Sequence, residues 1–289
     1  MLYNEIIINL RTTPQSMRSH LLNHPSTTQS KAIGIMDSGV GGLSVLQHIH
    51  ALLPHENLIY FADSQHAPYG NKTPAHIQER VDSIASFLLS QQIKALVIAC
   101  NTATAASAKY LREQYSLPII AMEPAVKPAS LATKNGIVGV LATVGTLQSA
   151  QFAALLATYG RDIQVITQGC IGLVECIERG ELHTAKTKAL LTQYCSQLLK
   201  AGADTIVLGC THYPFVRDVI QNIVGEDVTV VDTGAAVAKH LHSTIQSQDL
   251  IKPLKTSANI TILTNNDAAN TEHVIHQLWG KNNITIKRV

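Results

Sequence analysis

Leu88-Leu89-Ser90-Gln91-Gln92-Ile93-Lys94-Ala95-Leu96-Val97-Ile98-Ala99-Cys100 and Leu198-Leu199-Lys200-Ala201-Gly202-Ala203-Asp204-Thr205-Ile206-Val207-Leu208-Gly209-Cys210 align without a gap at an offset of 110 residues. In each copy a helix end and a tight turn lead into a short apolar strand. The strand stops at a small residue, a cysteine and then Asn101 or Thr211. Strands that are apolar at nearly every position are those buried on both faces, as in a parallel sheet covered by helices. The pairing predicts a duplicated α/β unit that faces two thiols, Cys100 and Cys210, across one cleft. Few chemistries need such a pair.

Outward from these stretches, β-rich runs alternate with helical ones from Lys31 onward, which predicts parallel α/β architecture. Strands are expected at residues 32–36, 58–62, 95–99, 119–122, 137–141, 163–167, 205–209, 228–231 and 260–263. The repeat extends further. Ile33-Gly34-Ile35-Met36-Asp37-Ser38-Gly39 resembles Val138-Gly139-Val140-Leu141-Ala142-Thr143-Val144, each a strand leaving through a small-residue turn. The organisation expected is a first α/β domain of residues 31–124 plus 234–289 and a second of residues 125–233, with the active site between them. Residues 1–30, polar and weakly patterned, read as an N-terminal extension, either a loose tail or a short docked helix.

With 289 residues, 46% of them hydrophobic and 15% charged, the chain has ample apolar area for a core and is not a disordered sequence. A net charge of +2 offers no electrostatic case for nucleic acid or a membrane surface as partner. No apolar run approaches the roughly 20 residues of a transmembrane helix. The apolar run at residues 6–10 lacks a basic stretch before it and is a poor signal peptide. Five cysteines, an odd number in a long chain, do not suggest a disulfide framework. A cytoplasmic location is expected.

Ligands of open parallel sheets sit at the carboxyl ends of strands, where Asp37-Ser38, Cys100, Thr143 and Cys210 all fall. Asp37-Ser38-Gly39-Val40-Gly41-Gly42-Leu43-Ser44 is a glycine-rich strand-to-helix turn. One reading is a dinucleotide loop, with Asp63 as ribose-binding acid. Against it, Ser44 occupies the third glycine position and Asp37 would stand beside the pyrophosphate. The alternative is a small polar ligand held by backbone amides at the helix start. Cys100 precedes a helix, a setting that favours thiolate. His212, two residues after Cys210, reads as a proton partner for that thiol or a substrate contact. A metal held by Asp37, Cys100, Cys210 and His212 is a further reading, but the sequence has no local ligand pair of the structural-zinc type. Cys170, Cys176 and Cys195 lack comparable context.

Together, Asp37-Ser38-Gly39-Val40-Gly41-Gly42, Pro68-Tyr69-Gly70, Ala99-Cys100-Asn101-Thr102-Ala103 and Gly209-Cys210-Thr211-His212-Tyr213-Pro214 resemble the glutamate racemases of the aspartate/glutamate racemase superfamily. The resemblance runs from about Ala32 to beyond Ala236. It implies a cofactor-independent enzyme that supplies D-glutamate for peptidoglycan, with Cys100 and Cys210 as its acid–base pair. It places substrate contacts on Asp37, Ser38, Pro68, Tyr69, Gly70, Asn101, Thr102, Thr211 and His212, and a substrate-carboxylate turn on Thr143 and Thr146. Asp37 and His212 would also assist proton transfer, and an auxiliary glutamate maps to Glu178 or to Glu175. Ala142 stands where many members have Gly, and Cys170-Ile171 where many read Cys-Pro. A peptidoglycan-precursor activator and a homodimer are among the partners it suggests.

The residues fit that chemistry on their own terms. Racemisation at Cα takes a proton from one face and returns one to the other, so one thiolate and one thiol on opposite faces suffice. Neither a metal nor another cofactor is called for. Two rivals stand beside it. Aspartate racemases share the two-thiol scaffold but tend to carry an acidic residue where this chain has His212. Solute-binding proteins also close two α/β lobes on a small ligand, but they need no reactive thiols.

Overall fold

The computed structural model describes residues 28–253, 258–266 and 270–289. Of the expected N-terminal extension, residues 1–27 lie outside the described residues, and 28–30 form a turn leading into the first strand. The strands are β1 (Ile33–Asp37), β2 (Leu58–Ala62), β3 (Ala95–Ile98), β4 (Ile119–Ile120), β5 (Ile137–Ala142), β6 (Gln164–Gly169), β7 (Thr205–Leu208), β8 (Thr229–Val231), β9 (Ile260–Thr264) and β10 (Thr285–Arg288). They form two sheets, ordered β10-β9-β2-β1-β3-β4 and β6-β5-β7-β8. Every pairing is parallel. Between the strands lie α1 (Leu43–Leu52), α2 (Pro74–Ser90), α3 (Asn101–Gln114), α4 (Val126–Ala132), α5 (Val144–Leu147), α6 (Ala150–Tyr159), α7 (Leu173–Glu178), α8 (Ala185–Lys200), α9 (Arg217–Val224), α10 (Gly234–Ser247) and α11 (Thr271–Trp279).

The duplication read from the sequence is visible in the pairing. β1 lies beside β3 with Ile33 opposite Ala95 and Met36 opposite Ile98, while β5 lies beside β7 with Val138 opposite Thr205 and Leu141 opposite Leu208. All residues of β1, β3 and β7 are buried, as helices on both faces of a parallel sheet require. Each such Ile, Leu or Val contributes about 1.5–3 kcal/mol by leaving water. The turn before the cysteine strand takes a positive φ in both copies, +85° at Gly202 and 56° at Gln92. A side chain in that region is strained by about 1–2 kcal/mol, so the first copy keeps the turn at a cost that the second avoids.

Three elements differ from expectation. β4 stops at Ile120, with Ala121 and Met122 outside the ladder, and β6 runs on to Gly169. β10 has no counterpart among the expected strands. It is an edge strand on β9, mostly exposed and ending in Lys287 and Arg288; charge on an edge deters further pairing and removes the apolar signal by which buried strands are read.

Candidate active site

The cavity lies where the strand ends of the two sheets meet. It is lined by Ser38, Pro68, Tyr69, Gly70, Cys100, Asn101, Thr102, Thr143, Val174, Gly209, Cys210, Thr211 and His212. Eleven of these residues were expected from the sequence, and Val174 and Gly209 were not. Val174 is a buried apolar residue in α7 with no chemical signature, and Gly209 was read only as the small residue before the thiol. Three expected residues, Asp37, Thr146 and Glu178, stand immediately behind the lining.

The two thiols have different partners. Cys100 caps α3, its sulfur accepting from the Ala103 N–H at 3.4 Å. Its own S–H points to Ser38 Oγ at 3.6 Å, and Ser38 Oγ donates to Asp37 Oδ1 at 3.1 Å. Thiol, hydroxyl and carboxylate therefore form a continuous chain. Cys210 Sγ lies 3.7 Å from His212 Nδ1, and His212 Nε2 lies 2.5 Å from Glu178 Oε1. Cys210 thus heads a Cys–His–Glu series, while Cys100 heads a Cys–Ser–Asp series. The repeat made the thiols equivalent; the structure gives them unlike proton partners.

Electrostatics follow from burial. Asp37 is fully buried, and this pushes its carboxyl above the usual range, with His212 opposing and Glu178 adding to the rise. Burial also pushes the Cys100 thiol far up, reinforced by the Asp37 charge and only partly offset by the Ala103 amide and Ser38. The helix start expected to favour thiolate is present, but burial outweighs it. For His212 burial works downward, yet its bonds to Cys210 and Glu178 win and hold the imidazole well above its ordinary value. Its two ring nitrogens face the Cys210 sulfur on one side and the Glu178 carboxylate on the other.

The glycine-rich turn is shaped by the protein's own carboxylates. The Ser38 amide donates to Asp37 Oδ1 at 2.6 Å, the Gly42 amide donates to Asp37 Oδ2, and the Val40 amide donates to Glu178 Oε1 at 2.8 Å. These amides are thus taken, which corrects the expectation that they hold a ligand. A methyl group on Gly39 would overlap the Glu178 carboxylate and one on Gly41 the His212 ring. Ser44 donates to Thr211 O at 2.8 Å, a cross-cleft bond that a glycine in its place would lose. Both details argue against a dinucleotide loop. Among the described residues no group of three or more His, Cys, Asp or Glu side chains has metal-holding geometry.

Other donors converge from both sheets. The hydroxyls of Thr102, Thr143 and Thr146 form a triangle with sides of 2.9, 3.0 and 3.0 Å. Thr211 Oγ1 donates to Asp37 Oδ2 at 3.1 Å. Asn101 is buried with neither side-chain amide atom bonded, the mark of a group kept for something else. Glu175 and Glu178 share an outer groove, but Glu178 alone of the two also meets His212, so the geometry distinguishes the two glutamates.

This cleft geometry belongs to a known class. A family model described as Asp/Glu/Hydantoin racemase matches residues 33–241, and the chain belongs to that family. Within it the chain is most like the glutamate-specific members. It is 53% identical over 251 residues to the glutamate racemase of Stutzerimonas stutzeri, covering 86% of this chain and 94% of that protein. The crystal structure of glutamate racemase isoform RacE1 from Bacillus anthracis matches with a TM-score of 0.82 at 33% identity, over 90% of this chain and 98% of that one. The Escherichia coli glutamate racemase, solved with L-glutamate and the activator UDP-MurNAc-ala, matches at 0.80 and 32% identity, with the same 90% and 98% coverage.

Proposed function

We propose that this chain interconverts L- and D-glutamate by exchange of the Cα proton between two cysteines, and so supplies D-glutamate for peptidoglycan. The observation that carries the reading is a single cavity lined by thiols from both sheets, each leading to its own buried proton partner.

In the D-to-L direction Cys100, as thiolate, takes the α-proton. Its own proton passes through Ser38 toward Asp37, the buried carboxylate at the end of that chain. The Cys210 thiol then delivers a proton to the opposite face, and the resulting thiolate faces His212 Nδ1. The thiols exchange protonation states in each turnover, and the L-to-D direction reverses the steps. Charge that develops on the α-carboxylate as the proton leaves is met by neutral donors: the Thr102, Thr143 and Thr146 hydroxyls and the Asn101 amide. The substrate ammonium brings in positive charge that favours thiolate.

Purified protein given D-glutamate in D₂O, with no added cofactor, should form L-glutamate carrying deuterium at Cα. Substrate recovered early should stay protiated. Cys100→Ala and Cys210→Ala should each lose at least about 10³-fold in kcat/KM, because neither thiol alone completes the transfer. The equilibrium constant is one, so kcat/KM must fall equally in both directions. A loss of only a few-fold in either variant, or faster turnover of aspartate, would overturn the reading.

The E. coli relative was solved with UDP-MurNAc-ala as activator, which supports a peptidoglycan precursor as an activator here as well. Rates with and without that compound decide it. A cytoplasmic setting and a homodimer belong to the same proposal. Among the described residues no helix is long and apolar enough to cross a membrane.

A further inference from the structure

Just outside the cavity, Asp63 follows β2 with no exposed surface, yet five side-chain donor groups converge on its carboxylate. Arg80 of α2 approaches it as a fork, Nε to Oδ2 at 3.1 Å and Nη2 to Oδ1 at 2.8 Å. Asn265, which follows β9, donates to Oδ1 at 2.5 Å, and His66 Nδ1 lies 3.0 Å from the same oxygen. The Tyr69 hydroxyl donates to Oδ2 at 2.5 Å. Asn265 also accepts from the Gln65 amide at 3.1 Å, and the Asp63 amide donates to Asp37 O at 3.1 Å.

Tyr69 is the only one of these donors that lines the cavity. Its hydroxyl is spent on Asp63 and is not offered to a substrate. The turn at Pro68-Tyr69-Gly70 therefore meets the substrate as a wall whose position Asp63 sets. That position has little tolerance: a methyl on Gly70 would come within 2.6 Å of Thr143 Cβ, and one on Gly145 within 2.9 Å of Gly70 O. A shift of the turn would reach Thr143 and its hydroxyl triangle.

We propose that Asp63 is a positioning residue for the racemase reaction: through the Tyr69 hydroxyl, and braced by Arg80 and Asn265, it fixes the turn against which glutamate is held. The proposal rests on the function argued above. Because the turn shapes binding and supplies no proton, losing the link acts on KM more than on kcat.

The test is a double-mutant cycle in the full-length protein, assayed with both glutamate enantiomers. Tyr69→Phe should raise both KM values about tenfold, lower kcat less than about threefold and shift Tm by no more than about 2 °C. In the Asp63→Ala background, Tyr69→Phe should have no further effect on KM, because the hydroxyl has already lost its acceptor. Should that Asp63 variant fail to fold, the KM-against-kcat split in Tyr69→Phe alone decides. A KM within twofold of wild type in Tyr69→Phe, or effects that multiply fully in the double variant, would overturn the proposal. Wild-type turnover in the same assay separates the cases: without it, the functional reading itself has failed.

Discussion

Asn101 begins α3 with its side-chain oxygen and nitrogen both buried and unbonded. Leaving a polar group so costs about 1–3 kcal/mol of stability, and the chain recovers none of it within the free protein. A substrate carboxylate or ammonium would satisfy that side chain, so the deficit belongs to the free state alone. Asn101→Ala should therefore leave Tm unchanged or raise it, while kcat/KM falls by about 10²-fold or more. Thermal melts and kinetics on the same preparation check both halves. A destabilised variant with near-normal kcat/KM would mean that Asn101 is a structural residue. The same scale sets Cys170, Cys176 and Cys195 apart, since none of them lines the cavity. All three are buried. Burial alone pushes Cys195 up to about 11, which leaves it a thiol.

Between β1 and α1 the glycines act as spacers for side chains arriving from the other sheet. Gly41→Ala should displace the His212 ring, separate it from Cys210 and lower kcat by about 10–10³-fold, with a smaller effect on KM. A variant with normal kcat would show that the ring has room to move and that its placement is not critical. At this scale much was legible beforehand. The apolar runs at β1, β3 and β7 declared themselves because strands buried on both faces carry no alternation. The 110-residue repeat paired the two cysteine strands and placed both thiols at strand ends. What was not legible depended on contacts between distant elements. Nothing in Gly39 or Gly41 announces that Glu178 and His212 lie against them, and nothing in the sequence around Asp63 announces that Arg80, Asn265 and Tyr69 surround it. Glu175 and Glu178 were indistinguishable by spacing, since both line one outer groove and only the fold brings Glu178 to His212. β10 escaped notice because an exposed edge strand has no apolar run to detect.

Across the whole molecule, the cavity is completed by residues from both sheets, and neither sheet holds a complete set. Thr102 bonds to Thr143 and Thr146, Ser44 and Thr211 bond across the cleft, and Glu178 accepts from Val40, Ser64 and His212. A glutamate seated there would add contacts to both sides at once, and its binding free energy would stabilise the two sheets together. At a ligand concentration of 100 times Kd, that linkage is worth about 2.7 kcal/mol, or roughly 5–10 °C in Tm for a protein of this size. Hydrogen exchange on the full chain should then show D-glutamate protecting amides at residues 37–42 and 100–104 on one side and at 143–147 and 209–213 on the other. Both sets should titrate with the same midpoint. In Asn101→Ala both should shift together to higher ligand concentration, although only one side has been altered. Protection confined to one side, or two separate midpoints, would mean that the substrate binds to one sheet and that the opposite thiol is out of reach of Cα.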